Sequence, residues 1–323
     1  MIGVLGGGAW GTALASVLAG KGAMVRLWAR EIDVVADINS RHRNSRYLPG
    51  IPLPVGITAV SDIDDLGVCE TWLVVTPAQH LGRVLVSAPR GPRTLVLCAK
   101  GIEAGSHRLM AEVAAAALPD ADLAVLSGPT FAAEVAQGQP TAITLACADA
   151  TLGASLVARL ATRSFRPYLT DDVTGAEIGG AVKNVLAIAC GVVIGRGLGE
   201  NARAALLSRG YAEMVRFAVA RGGRAETLAG LSGLGDLVLT CGSPKSRNMS
   251  LGIAIGQGRS AADLLAHRDT VAEGAATAPV LVEAARAAGV EMPIAEAVAA
   301  LLAGAAVDPV IAALLDRPLT TET

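Results

Sequence analysis

An apolar tetrad, Ile2-Gly3-Val4-Leu5, runs directly into Gly6-Gly7-Gly8-Ala9-Trp10-Gly11, and the chain continues as Thr12-Ala13-Leu14-Ala15-Ser16-Val17-Leu18-Ala19. The order is strand, glycine turn, helix, with Gly6, Gly8 and Gly11 in the fixed places of G-x-G-x-x-G. No other part of the sequence restricts the fold as much. Glycines at this spacing allow a tight turn, a close approach of backbone to a pyrophosphate, and close packing of helix on strand. The helix N-terminus adds unpaired N–H groups and the positive end of a dipole. Chance matches are common in a chain with 37 glycines. It is the position between a strand and a helix that makes this one informative.

The second strand, Met24-Val25-Arg26-Leu27-Trp28-Ala29-Arg30, ends on Arg30 where an NAD site would carry a carboxylate for the ribose hydroxyls. A guanidinium there suits a 2′-phosphate through charge-assisted bidentate bonds, which favours NADP over NAD. Glu31 follows directly and could serve a ribose hydroxyl, so both cofactors stay open, as does a plain surface role for Arg30.

Strand and helix signals continue to alternate. A helix over 31–41 and a Pro-rich loop, Tyr47–Pro54, precede apolar strands near 57–60, 71–76, 94–98, 123–126, 142–146 and 165–168. Continuous apolar strands separated by helices indicate a parallel, doubly wound sheet covered on both faces. Ligands of such sheets lie beyond the carboxyl ends of the strands. The glycine loop, Arg30, Thr76, Lys100 and the stretch Gly128–Ala132, which includes Thr130, all fall at strand ends and can face one crevice. Lys100 directly follows a buried strand; taken alone it also fits a solvated loop lysine.

From about Thr174 onward only helical segments are expected, near 175–195, 201–221, 225–231, 248–256, 260–266, 273–288 and 294–304. This divides the chain into 1–174, a dinucleotide-binding Rossmann-type domain, and 175–323, an all-helical domain. At the seam stands Gly179-Gly180-Ala181-Val182-Lys183-Asn184-Val185-Leu186-Ala187, an apolar helix interrupted by one lysine and one asparagine. A desolvated lysine has its pKa pushed down toward neutrality; the alternative is an ammonium that snorkels to the surface. Asp236 is the single carboxylate in another apolar run, Leu231–Cys241, and needs a cation or N–H donors, for which Lys183 is a fitting partner. Thr240 lies one helical turn from Asp236, on the same face. Ser243-Pro244-Lys245-Ser246-Arg247-Asn248 reads as the N-terminus of a further helix and makes a reasonable phosphate cradle, or simply an N-cap by Ser246 with a solvated Arg247.

Other chemistries find little support. A formal net charge of −2 with no basic tract gives no electrostatic footprint for nucleic acid or membrane. Five scattered Cys read as reduced core residues, and four distant His suggest no metal site. With no signal-peptide pattern, the expected location is the cytoplasm.

Taken in order, GGGAWGTAL at Gly6–Leu14, YLPGIPLP at Tyr47–Pro54, Lys100-Gly101, GPTFA at Gly128–Ala132, VKNVLA at Val182–Ala187, GLGDLVLTC at Gly233–Cys241, SRN at Ser246–Asn248, Ala272-Glu273-Gly274 and GVEMPI at Gly289–Ile294 resemble the bacterial-type NAD(P)-dependent glycerol-3-phosphate dehydrogenases over nearly the whole chain. The resemblance implies a helical domain like that of 6-phosphogluconate dehydrogenase, and a substrate pair of dihydroxyacetone phosphate and sn-glycerol 3-phosphate, with a role in phospholipid synthesis. It implies Lys183 as general acid/base and Lys100 in contact with substrate and cofactor. Asp236 and Thr240 would hold Lys183 and the substrate. Arg247 and Asn248 would take the phosphate end, with Ser246, Gly128 and Thr130 nearby. Ala9, Trp10, Arg30, Ala132, Arg247, Val271 and Glu273 match cofactor-contacting positions. Ala9 replaces the serine usual before Trp10, which removes a hydroxyl and leaves the N–H. Apolar helical faces in the second half suggest a homodimer.

Overall fold

The computed structural model describes residues 1–91, 93–266 and 272–318. Among the described residues ten strands occur in chain order: β1 (Ile2–Leu5), β2 (Val25–Trp28), β3 (Arg43–Asn44), β4 (Leu48–Pro52), β5 (Ile57–Val60), β6 (Thr71–Val74), β7 (Arg93–Leu97), β8 (Ala121–Ser127), β9 (Thr141–Ala146) and β10 (Phe165–Thr170). Eight of them form one sheet in the order β10-β9-β8-β7-β6-β1-β2-β5, while β3 and β4 pair as a separate hairpin. Every residue of β1 and β6 is buried, as a central strand covered on both faces requires. Apolar clusters fill the space on both faces: Leu14, Leu18, Val34 and Ile38 belong to one, Leu81, Leu85, Val113 and Leu118 to the other.

The chain builds outward from β1 to β2 and β5, then crosses back to β6, β7 and β8 on the other side. That reversal between β1 and β6 opens a crevice at the carboxyl edge, the usual ligand position in open α/β sheets. One pairing departs from the expected parallel sheet. β8 and β9 are antiparallel, so β9 and its parallel neighbour β10 run against the rest. The reason is the connection: between Ser127 and Thr141 it holds only the five-residue helix Ala132–Ala136. At about 1.5 Å per residue such a helix cannot carry the chain back along a strand rising about 3.3 Å per residue. The chain turns at the crevice edge and returns. The Pro-rich stretch expected as a loop also contains β4.

The second half packs around the helix Val173–Gly195, which is buried continuously from Gly175 to Val193. This helix is long and apolar enough to cross a membrane, yet it lies inside the protein core. Its deepest crossing is with the helix Arg247–Gly256, where an added Cβ on Gly191 would lie 2.2 Å from the Met249 carbonyl oxygen and one on Gly252 2.0 Å from that of Ile188. Glycines four residues apart on both helices, Gly191/Gly195 and Gly252/Gly256, let the two backbones touch. The helices Gly199–Ala220, Glu273–Ala287 and Pro293–Leu302 complete the bundle. A further helix, Val307–Leu315, was not expected from sequence; none of its residues is fully buried.

Candidate active site

At the first end of the crevice the glycine loop joins β1 to the helix Ala9–Gly20, with Gly8 as its N-cap. Gly6 has φ +134°, a conformation few residues other than glycine adopt. A Cβ on Gly11 would sit 2.0 Å from the Gly6 carbonyl oxygen, whereas one on Gly8 would meet nothing within 4 Å. The loop is therefore closed on the protein side and open on the other, as a pyrophosphate cradle must be. Ala9 and Trp10 begin the helix, and the Trp10 ring is half-buried against the apolar layer on that face of the sheet. Thr76, after β6, donates its hydroxyl to the Leu5 carbonyl at 3.2 Å. Arg30 projects outward with its side chain 82% exposed and pairs with Glu31 at 2.9 Å. Ala132 starts the short helix at the same edge. Val271 lies outside the described residues.

At the other end, three charged side chains meet in the interior. Lys183 Nζ donates to Asp236 Oδ1 at 2.8 Å and to Thr240 Oγ1 at 2.9 Å. Lys100 Nζ donates to the other carboxylate oxygen, Oδ2, at 2.6 Å and to the Gly128 carbonyl at 3.2 Å. The Thr240 hydroxyl donates to Asp236 Oδ1 at 3.2 Å, so the expected one-turn pairing is realised. Asp236 bridges two ammonium groups while only 1% of its side chain is exposed, against 9% for Lys183 and 14% for Lys100. Lys183 is thus buried and does not snorkel.

Local sequence explains how these groups reach each other. Leu231–Gly235 is a π-helical turn that leads into the helix Asp236–Cys241 and presents Asp236 on its first turn. A Cβ on Gly179 would lie 2.5 Å from the Ser232 carbonyl oxygen, so only glycine lets this turn pack against the central helix. A Cβ on Gly180 would lie 3.2 Å from Lys100 Cγ and 2.8 Å from Ser127 Oγ. The paired glycines before Lys183 are the space through which Asp236 and Lys100 approach.

Burial is the largest influence on Lys183 and lowers its pKa to about 8; Asp236 pulls it back up, Lys100 pushes it further down, and Glu273 raises it. Burial alone would raise the pKa of Asp236, but Lys100 and then Lys183 override it and hold the carboxyl below the ordinary range. Glu273 is raised by burial, opposed by Arg247, Lys100 and Lys183, which ties Arg247 to the same electrostatic cluster.

Ser246 caps the helix Arg247–Gly256, its hydroxyl accepting the Met249 N–H at 3.3 Å, and Arg247 stands exposed on the first turn. Thr130 donates to the Gly128 carbonyl at 3.3 Å. Asn248 faces inward: its Nδ2 donates to Asn184 Oδ1 at 2.9 Å and its Oδ1 accepts the Gly274 N–H at 3.0 Å. Asn184, the other polar interruption of the apolar helix, carries no role in the sequence reading, and its partner Asn248 supplies one.

A crevice that can hold a dinucleotide at one end and exchange a proton at a desolvated lysine at the other defines a pyridine-nucleotide oxidoreductase. Comparison with known proteins narrows that class. Residues 1–153 match the family model for the NAD-dependent glycerol-3-phosphate dehydrogenase N-terminus, and residues 172–311 the model for its C-terminus. The chain is 63% identical to glycerol-3-phosphate dehydrogenase [NAD(P)+] of Erythrobacter litoralis over 321 residues, covering 99% of this chain and 97% of that one. It is 60% identical to the enzyme of the same name from Novosphingobium aromaticivorans, covering 99% and 98%. Among solved structures, glycerol-3-phosphate dehydrogenase from Coxiella burnetii superposes with a TM-score of 0.93 at 39% identity, covering 98% of each chain. A ketopantoate reductase from Ralstonia eutropha shares the fold alone, at 17% identity and a TM-score of 0.62. The chain belongs to the NAD-dependent glycerol-3-phosphate dehydrogenase family.

Proposed function

We propose that this chain interconverts dihydroxyacetone phosphate and sn-glycerol 3-phosphate with NADP(H) or NAD(H), and that Lys183 gives and takes the proton at the C2 oxygen. The observation that carries the reading is the buried Lys183–Asp236–Lys100 cluster at the carboxyl edge of a sheet whose first loop is an open glycine cradle. Residues 1–174 hold the cofactor, with Gly6, Gly8, Ala9, Trp10 and Gly11 around the pyrophosphate and Arg30 at the adenosine end; NADP is the preferred cofactor. Lys100, Ala132, Arg247 and Glu273 complete its contacts, and residues 175–323 supply most of the substrate site.

When held there, the nicotinamide cofactor would supply the hydride for reduction and take it up in oxidation. As negative charge grows on the C2 oxygen, the Lys183 ammonium stabilises it and then protonates it. Asp236 and Thr240 fix the direction of that ammonium by taking two of its three hydrogens. In oxidation the neutral amine removes the hydroxyl proton. Arg247, with Ser246, Asn248, Gly128 and Thr130, receives the phosphate; Asn248 has its second Nδ2 hydrogen for this. Lys100, held between Asp236 and the Gly128 carbonyl, adds positive charge beside Lys183 for the substrate and cofactor.

The test is NADPH oxidation, followed by its near-ultraviolet absorbance, with dihydroxyacetone phosphate beside unphosphorylated dihydroxyacetone and with NADH in parallel. Oxidation that requires the phosphate is the expected result; equal rates without it would overturn the substrate assignment. The reading carries with it a cytoplasmic homodimer feeding phospholipid synthesis, and light scattering on the purified protein tests the dimer.

A further inference from the structure

The β3–β4 hairpin interrupts the nucleotide-binding half, and one side chain on it reaches the glycine loop. The chain leaves the helix Ile32–Arg41 through His42 at φ 50° and enters the hairpin at Arg43. Asp37 ties the hairpin to that helix by accepting the Ser45 N–H at 2.8 Å. Asn44 is 0% exposed, and its Nδ2 donates to the Gly7 carbonyl at 2.8 Å and to Thr12 Oγ1 at 2.8 Å. Its Oδ1 accepts the Tyr47 N–H at 3.1 Å. The Thr12 hydroxyl, also 0% exposed, in turn donates to the Gly7 carbonyl at 3.3 Å. Both hydrogens of the amide are used, and the network closes on one carbonyl oxygen.

That carbonyl belongs to the peptide unit between Gly7 and Gly8. A trans peptide is planar, with C=O and N–H directed oppositely. Fixing the Gly7 oxygen toward buried Asn44 therefore directs the Gly8 N–H out of the protein, at the open point of the loop. Glycines leave this peptide with more rotational freedom than any other pair of residues would. Something must hold it if its N–H is to meet a pyrophosphate without a loss of entropy on binding.

We propose that Asn44 is a positioning residue for the dinucleotide: it touches no ligand, but locks the Gly7–Gly8 peptide in the orientation that donates to the pyrophosphate. The proposal rests on the dinucleotide reading of the loop. Direct binding of NADPH to the unmodified protein, by fluorescence titration, tests that reading first; absence of binding would remove both. Asn44→Asp keeps the size and the acceptor for Tyr47 but turns two donors into lone pairs facing oxygen atoms. It is expected to raise the Kd for NADPH by about tenfold or more. At saturating NADPH, kcat and the KM for dihydroxyacetone phosphate are expected to stay within about twofold, because the Lys183 cluster is untouched. Thr12→Val, of equal size, removes the second donor to Gly7 and is expected to weaken NADPH binding by about threefold, with Thr12→Ser restoring it. If Asn44→Asp does not fold, the Thr12 pair gives the answer. Unchanged NADPH affinity in folded Asn44→Asp, or in Thr12→Val where Asn44→Asp is lost, would overturn the proposal. A merely structural role would lower Tm and leave the Kd of the folded fraction alone.

Discussion

The two ends of the crevice are made of different materials. The proposed dinucleotide end presents backbone to the crevice: four glycines within Gly6–Gly11, with one arginine left 82% exposed beyond them. The proposed proton-transfer end is side chain: two ammonium groups and a carboxylate, almost wholly buried and brought from elements 53 and 136 residues apart. Binding an anion through N–H groups works in contact with water, so its parts can be local and exposed. Moving a proton near neutral pH requires an amine whose pKa has been lowered, and the means of lowering it here is burial. Burial of one charge demands a partner, since an uncompensated buried charge costs several kcal/mol. That demand is met only by the assembled fold.

The sharpest way to break this comparison is Lys183→Ala. Turnover is expected to fall by about 10²–10⁴-fold, with the Kd for NADPH changed less than about twofold. Equal damage to cofactor binding would mean that the two ends are not separate devices. Asp236→Asn comes next. It removes the charge that most raises the Lys183 pKa and leaves Lys100, which lowers it, so the Lys183 pKa should fall below about 8. With Lys183 as the proposed acid, reduction needs the ammonium, so in the unmodified protein kcat/KM for reduction is expected to decline as pH rises through about 8 and that for oxidation to gain. In Asp236→Asn that limb should move to lower pH; a move upward would contradict the role given to the carboxylate. Linkage has a definite sign here. Between about 8 and the ordinary 10.5, the unfolded chain holds a proton that folded Lys183 has released, so this residue's contribution to stability improves with rising pH.

One substitution made at both ends sharpens the contrast further. Gly179→Ala places a Cβ 2.5 Å from a backbone oxygen of Ser232 and should cost about 1–3 kcal/mol, a Tm loss of several degrees, with activity falling alongside. Gly8→Ala meets nothing within 4 Å at an ordinary φ of −70°, so Tm should hold and only NADPH affinity should weaken. Thermal scans beside cofactor titrations distinguish the two. Equal Tm losses would show that the loop is as tightly packed as the seam. Arg30→Ala should lower the preference for NADPH over NADH by about tenfold, the value of one charge-assisted contact to a phosphate; an unchanged ratio would remove Arg30 from cofactor choice.

The same contrast governs what the sequence reveals. The glycine loop is readable because its contacts are with neighbours in the chain. Lys183 and Asp236 are readable as anomalies, single charges in apolar runs, and Thr240 as the residue one turn on. Lys100 is a different case: nothing local separates a loop lysine from one that shares a carboxylate 136 residues away. The direction of β9 is equally hidden, since an apolar strand looks the same either way and only the brevity of the helix before it decides. Asn44 stands in a stretch of ordinary loop composition, where asparagine is common for reasons unconnected with a glycine loop 37 residues earlier. The inward bonds of Asn248 to Asn184 and to the Gly274 N–H are hidden as well, because that N–H is left unpaired in the first turn of a helix distant in sequence.

The smallest effect tests where the proton-transfer end stops. Glu177 lies on the same helix as Lys183, is buried, and accepts the Ala111 N–H at 2.8 Å at the start of the helix Met110–Ala117. Burial is the main cause that raises its pKa to about 8; the Ala111 and Met110 N–H groups and Arg221 oppose the rise, and Glu112 adds to it. The folded value exceeds the ordinary 4.5, so across that interval the folded chain holds a proton the unfolded chain has lost. Stability from this residue therefore falls as pH rises from about 4.5 to about 8. Glu177→Gln keeps the acceptor for Ala111 and cannot ionise, so Tm should decline less steeply with pH over that range, by a few degrees at its upper end. The pH profile of turnover should not move, because Glu177 bonds to the neighbouring domain and not to the lysine. A displaced profile would couple Glu177 to the Lys183–Asp236–Lys100 cluster, and the seam would then have to be treated as one titrating unit reaching from Glu177 to Asp236.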